Sequence, residues 1–145
     1  MSIIDKIESL VTFLENIIPL SIKEAFEENK NFVLSKQKEQ LSKGEYKQSV
    51  SIRPTYSPAY KKLKRKLSNT PNLRDTGTFY DSIRLDVRET YAEIITEDPK
   101  AKYLFSRYER AGNDLFGLQD GSIVEFVDDF VIPIINKKID ELIRT

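Results

Sequence analysis

The sequence predicts an α+β fold, in which a small antiparallel sheet is packed by a long kinked N-terminal helical segment and a C-terminal amphipathic helix. Apolar residues recur every three or four positions at both ends of the chain, and two short segments near the middle alternate apolar and polar residues. The length of 145 residues and the hydrophobic share of 39% suit one domain with its own core. We therefore expect a single domain over 1–145, with N-terminal helices (1–43), strands, a basic helix and loops (44–121), and a C-terminal helix (122–145).

The first forty residues have the apolar spacing of helices, with Ser2 as a suitable N-cap. Pro19 has no amide hydrogen and its ring crowds the preceding turn, so we expect a kink or break near Ile18. A second helix then starts at Leu20 or Ser21 and stops at Gly44. The stripe predicted to face inward comprises Ile3, Ile4, Ile7, Leu10, Val11, Leu14, Ile17 and Ile18.

Extended structure is predicted in the middle of the chain. Residues 50–53 alternate apolar and polar before Pro54, which suits a short edge strand or an extended arm. Ser57 and Pro58 are typical of a helix start, so a short basic helix should cover 59–67. Residues 83–88 and 91–96 should form a β-hairpin, since Ile83, Leu85 and Val87 share one face.

Two further helices complete the predicted order. Residues 100–110 should form a helix whose buried candidates are Tyr103, Leu104, Phe105 and Tyr108. The last helix should begin after Gly121 and Ser122, with a kink at Pro133.

The composition excludes several kinds of chemistry. The chain has no cysteine and no histidine, which removes disulfides, thiolate nucleophiles, imidazole bases and the usual zinc ligands. We expect no cofactor, no metal and no enzymatic activity. No apolar run reaches the roughly 18 residues that a membrane helix needs, so we expect no membrane partner.

Charge is distributed unevenly although the formal net charge is zero. Between residues 36 and 74 there are eleven Lys and Arg against two Glu, so this segment carries +9 and the remainder −9. Its densest part is a run whose positive side chains occupy the surface of the predicted basic helix: Lys61, Lys62, Lys64, Arg65 and Lys66. This run could be a solvated face, could contact an acidic face of a neighbouring subunit, or could contact DNA.

The triplet Asp75, Thr76 and Gly77 predicts a structural turn that starts a short helix, with Asp75 and Thr76 accepting hydrogen bonds from the following amides. The same triplet occurs in aspartic proteases, where two carboxylates share a proton. In those enzymes an apolar strand precedes it, whereas Arg74 precedes it here and would keep Asp75 as a simple charged carboxylate. The turn is therefore favoured, and an enzyme built on Asp75 is the weaker hypothesis.

A glycine-bearing loop carries three apolar residues that a solvated loop would not favour: Leu115, Phe116 and Leu118. They could plug the core of their own chain. They could instead be inserted into a second copy of the chain, so we keep them as a candidate inter-subunit loop.

In order along residues 45 to 145, the Ser57-Pro58 helix start, the run from Leu73 to Ile83, the strand pair and the Phe116-Gly117-Leu118 loop resemble the phage virion-morphogenesis and tail-completion family. That resemblance implies a head-tail connector, a structural protein of the neck that forms a homo-oligomeric ring between portal and tail. It implies portal or adaptor ring proteins and tail proteins as partners, packaged DNA in the channel, and a place in the virion after assembly in the bacterial cytoplasm. The alternative from another class is a basic nucleic-acid-binding accessory protein.

Overall fold

Helices form both ends of the chain and a β-hairpin lies in the middle, so the predicted α+β class is confirmed. The computed structural model describes residues 2–66, 70–75 and 77–144. The helices and strands are α1 (Ile3–Glu28), α2 (Lys30–Ser42), α3 (Pro58–Leu63), α4 (Thr78–Asp81), β1 (Ile83–Val87), β2 (Ala92–Thr96), α5 (Ala101–Tyr108), α6 (Asp120–Phe126), a π-helical segment (Val127–Val131) and α7 (Ile132–Arg144).

Helix α1 begins at the predicted N-cap. The Ser2 hydroxyl accepts a hydrogen bond from the Asp5 amide at 3.1 Å, and the Asp5 carboxylate accepts one from the Ser2 amide at the same distance. Each group satisfies an amide that the first turn of a helix leaves unpaired, which is the capping box.

The predicted break near Ile18 is wrong in position, because α1 continues through Pro19 to Glu28 and the helix is interrupted at Asn29. Proline removes one backbone hydrogen bond. Pro19 itself is exposed, whereas Ile17, Ser21 and Ala25 around it are buried. Packing of this inner face holds the helix across the missing bond.

Helix α2 ends as predicted just before Gly44, which adopts the left-handed φ of +72°. A Cβ at this position would lie 2.4 Å from the Thr70 side chain. The segment that follows is neither an edge strand nor an extended arm. It folds back on itself in a tight turn, in which Glu45 and Ser51 form an isolated antiparallel bridge and the Tyr46 amide donates to the Val50 carbonyl.

Strands β1 and β2 form the predicted antiparallel hairpin, with Ile83 opposite Thr96 and Val87 opposite Ala92. Helix α2 contacts β1 on one face of the hairpin. In the described residues this pair is the whole sheet.

The buried residues form two clusters. One joins α2, the 46–52 turn, α4 and α5 through residues such as Leu41, Tyr46, Ile52 and Tyr80. The other joins α1, α2, the hairpin and the C-terminal helix around Ala25, Val33, Leu85 and Phe126. Of the four residues predicted to be buried in α5, Tyr108 is buried and Tyr103 is not, since Tyr103 is 64% exposed.

The irregularity predicted at Pro133 lies one turn earlier. Residues Val127–Val131 form a π-helical segment, and the Ile132 amide donates to the Val127 carbonyl five residues back. A π-bulge widens the helix just before a residue that cannot donate and whose ring crowds the preceding turn. In the part of the chain that the structure describes, no helix has the length and apolar character that crossing a membrane would require.

Candidate functional site

The basic helix is shorter than predicted. Ser57 caps α3 as expected, accepting a hydrogen bond from the Tyr60 amide at 3.1 Å. The helix ends at Leu63, and Arg65 turns into the left-handed region with a φ of +55°. Leu67, which the sequence placed in this helix, lies outside the described residues.

Lys64 and Lys66 of the five basic residues bond to other residues of the chain. The Lys64 ammonium lies 3.2 Å from a carboxylate oxygen of Asp75. Lys66 donates to the Asn72 side-chain oxygen at 3.1 Å and to the Arg74 carbonyl. Lys66 is half-buried, and burial lowers the pKa of its ammonium.

The other three basic residues differ in exposure. Lys62 and Arg65 are exposed, and neither takes part in an ion pair among the described residues. Lys61 is half-buried. The part of the run that can meet a partner without breaking a bond is therefore centred on Lys62 and Arg65.

The turn before α4 is built differently from the predicted cap. Gly77 occupies the N-cap position of α4 with a φ of +89°, a conformation that favours glycine. Asp75 is held by Lys64, which follows the last residue of α3, and Thr76 lies outside the described residues. The Asp75 carboxylate thus ties the turn to the basic helix.

A groove lined by tyrosines lies between the start of α3, residues 73–75 and α5, and its volume is about 150 Å³. We call it the tyrosine groove. Four of the seven tyrosines in the chain line it, together with Phe79 and two leucines: Tyr56, Tyr60, Tyr103, Tyr108, Leu73 and Leu104. Sequence reasoning missed this groove, because its tyrosines come from segments about fifty residues apart; the concentration of tyrosine on either side of the turn was the available signal.

Charged groups of both signs border the tyrosine groove. Arg74 and Lys100 contribute positive charge to its lining, and Asp75 and Asp98 contribute negative charge. Asp98 is buried; one of its carboxylate oxygens accepts from the Lys100 amide at 2.8 Å, and the other has no partner in the described residues. Since Asp75 is paired with Lys64, the accessible charge around the groove is positive.

The candidate inter-subunit loop is not available to a neighbour, and this prediction is corrected. Leu115 is fully buried, Leu118 is buried, and Phe116 packs against Phe79 and Phe105 of the same chain. These side chains plug the core of their own chain.

Two glutamines of α2 hold this loop in place. The Gln37 amide donates to the Leu115 carbonyl at 3.0 Å and accepts from the Gly117 amide at 2.7 Å. The Gln40 amide does the same with the Gly117 carbonyl at 2.8 Å and the Gln119 amide at 2.7 Å. Each glutamine therefore pairs with the loop backbone as a neighbouring strand would.

The first part of α1 is exposed on all sides. Every residue from Ser2 to Thr12 is exposed, and the buried residues of this helix begin at Ile17. The apolar stripe that the sequence predicted to face inward is therefore open from Ile3, which is 75% exposed, to Val11, which is 47% exposed. We call residues 3–15 the N-terminal arm.

The described residues contain no cluster of acidic side chains that could hold a metal ion. Comparison with protein families, with curated proteins and with solved structures finds no match to this chain.

Proposed function

We propose that this chain is a structural protein of a tailed bacteriophage virion, which forms a ring in the neck between portal and tail. The proposal starts from the resemblance along residues 45 to 145. The observation that carries it is the N-terminal arm, whose open stripe from Ile3 to Val11 buries nothing within one chain. Exposed apolar patches of this kind are typical of contacts with other proteins.

The mechanism is assembly. Copies that present one surface to the next copy and receive a different surface from the previous one make heterologous contacts, which close into a ring when the rotation fits. The positive segment from 36 to 74 and the negative remainder of the chain would set the register between copies. Such a ring needs no catalytic residue and no cofactor.

The direct test is deletion of the gene from the phage that encodes it. We expect DNA-filled heads and separate tails by electron microscopy, with joined particles restored when the wild-type chain is supplied from a plasmid. Intact infectious particles after deletion would contradict the proposal. So would a particle reconstruction that places the chain away from the junction of head and tail.

A basic nucleic-acid-binding protein is the second candidate, and the exposed side chains of Lys62 and Arg65 favour it. Binding through phosphate contacts loses affinity steeply as salt rises, because counterions are released on binding. A filter-binding titration of duplex and single-stranded DNA between about 50 and 200 mM salt separates the two, since a neck protein should bind its own kind or the portal in preference to free DNA.

A further inference from the structure

We propose that the N-terminal arm of one copy docks into the tyrosine groove of a second copy. This inference rests on the proposed ring, and it names the two surfaces that join neighbouring subunits. It is carried by three features of the described residues: an apolar stripe without a partner, an aromatic groove, and opposite charges beside them.

The arm is built as a docking helix. Ile3, Ile7 and Leu10 follow the spacing of residues that meet a partner along one helix face, and Ile4 and Val11 widen the stripe. Their exposures run from 75% to 47%. At about 60–120 Å² for each aliphatic side chain, the stripe offers on the order of 300 Å² of apolar surface. A standard interface buries about 800 Å² on each partner, so the stripe supplies a large part of its apolar portion.

The groove and the exposed residues at its mouth offer an aromatic and aliphatic surface to such a helix. Tyr60 is half-buried and Tyr103 is 64% exposed, so aromatic surface is open at its mouth, and the neighbouring Leu63 is 77% exposed. Tyrosine is enriched where proteins meet, because a rigid ring gives large contact area and the hydroxyl remains able to bond.

Charge selects the orientation. Glu8 and Glu15 are seven residues apart on α1, so they lie on the same edge of the stripe about 10 Å apart. Both are exposed, and neither takes part in an ion pair among the described residues. On the groove side, Arg74 and Lys100 line the groove, and both are exposed without an ion pair among the described residues.

The same edge argues against pairing of two arms. A two-fold axis between antiparallel helices places like edge against like edge, which would bring the glutamates of one copy towards those of the other. Docking of the arm into the groove of another copy instead brings the glutamates of the arm towards positively charged side chains. Because arm and groove are different surfaces, each copy can give an arm to one neighbour and receive an arm from another, as a ring requires.

Charge exchange tests the docking. We expect E8K/E15K and R74E/K100E each to raise the concentration for half-assembly at least about tenfold, measured by sedimentation and native mass spectrometry. The combined four-residue variant should assemble again, since opposite charges are restored with their signs exchanged. The matched control E28K/D128K changes the same net charge at exposed positions and should assemble as wild type. Failure of the combined variant to recover, with a native circular dichroism spectrum, would overturn the docking.

Cysteine crosslinking tests the docking site itself. The chain has no cysteine of its own, so every disulfide must come from the introduced residues. Ile7→Cys mixed with Tyr103→Cys should give a mixed disulfide dimer, and Ile7→Cys alone should give none. Dimers of Ile7→Cys alone would overturn the proposal in favour of paired arms. Loss of DNA binding in R74E/K100E with unchanged self-association would overturn it in favour of nucleic acid as the occupant. A wild-type chain that stays monomeric and a mixture without crosslinks would overturn the docking as well, whereas the neck proposal would stand, since it is tested in the phage.

Discussion

At the scale of single residues, Gln37 shows how a polar side chain can organise a core. It is fully buried, and its amide group satisfies one carbonyl and one amide of the 115–117 backbone. A buried backbone group without a partner costs about 1–3 kcal/mol, so a loop that plugs the core needs such partners. Gln37 and Gln40 thereby place Leu115 and Leu118 in the interior.

We predict that Gln37→Ala lowers the free energy of unfolding by about 2–4 kcal/mol, because it leaves the Leu115 carbonyl and the Gly117 amide unpaired inside the protein. Urea denaturation followed by circular dichroism measures this change. Gln48→Ala is the matched control. Gln48 likewise donates one hydrogen bond and accepts one, to the Asp114 carboxylate and from the Asp114 amide. Its position is exposed and water can replace both bonds, so the loss there should stay below about 1 kcal/mol. Equal losses in the two variants would show that burial is not the cause.

Tyr80 carries a prediction about pH. Its hydroxyl donates to the Asn72 carbonyl, and burial raises the pKa of Tyr80 above its usual value. A pKa that is higher in the folded than in the unfolded chain gives stability that is complete below the unfolded pKa, about 10, and is lost as pH rises beyond it. We therefore expect the free energy of unfolding to fall above about pH 10.

Tyr80→Phe tests this assignment. It should cost about 1 kcal/mol at pH 7 through the lost hydrogen bond, and it should flatten the decline above pH 10. Burial also raises the pKa of Tyr56, so the free energy of unfolding of this variant should still decline above pH 10, but by less. Urea denaturation from pH 7 to 11 compares the slopes, and identical slopes in wild type and variant would assign the decline to other groups.

At the scale of elements, the sequence predicted what depends on near neighbours along the chain. The caps at Ser2 and Ser57, the stop at Gly44 and the hairpin all rest on residues within a few positions of one another. The tyrosine groove, the Gln37 bridge across 80 residues and the survival of α1 through Pro19 depend on packing between distant segments. No local pattern contains that information, which is why the break was predicted near Ile18.

The prediction for α1 concerns the effect of Pro19 on stability. Proline in a helix interior is about 3 kcal/mol less favourable than alanine, and alanine makes the unfolded chain more flexible by about 0.4–1 kcal/mol. Pro19→Ala should therefore raise the free energy of unfolding by about 2 kcal/mol, measured by urea denaturation. Pro99→Ala is the control, because Pro99 precedes α5, where no amide donor is needed, and it should change stability by less than about 1 kcal/mol. A loss of stability in Pro19→Ala would mean that the proline ring makes contacts worth more than the missing bond.

At the scale of the whole molecule, the two ends of the chain serve different purposes. The C-terminal helix packs on α1, and Lys138 lies 3.3 Å from Glu24 of α1. The N-terminal arm buries no side chain up to Thr12. The fold of one copy therefore depends on α7 and not on the first turns of α1.

Truncation of the arm separates folding from assembly. Removal of residues 1–11 leaves Thr12, a residue type that can cap a helix, at the new start, and it takes away only exposed positions among the described residues. We expect the free energy of unfolding to change by less than about 1 kcal/mol and self-association to be lost. Urea denaturation and sedimentation on the same sample measure the two effects.

Removal of residues 134–145 is the contrasting variant. It takes away half-buried Ile134, Ile135 and Ile139, together with the ion pair between Lys138 and Glu24. At roughly 1 kcal/mol or more for each half-buried isoleucine, the free energy of unfolding should fall by about 3–5 kcal/mol. If the N-terminal truncation were as damaging as this one, the arm would contribute to the fold of its own chain, and its stripe would not be free for a neighbour.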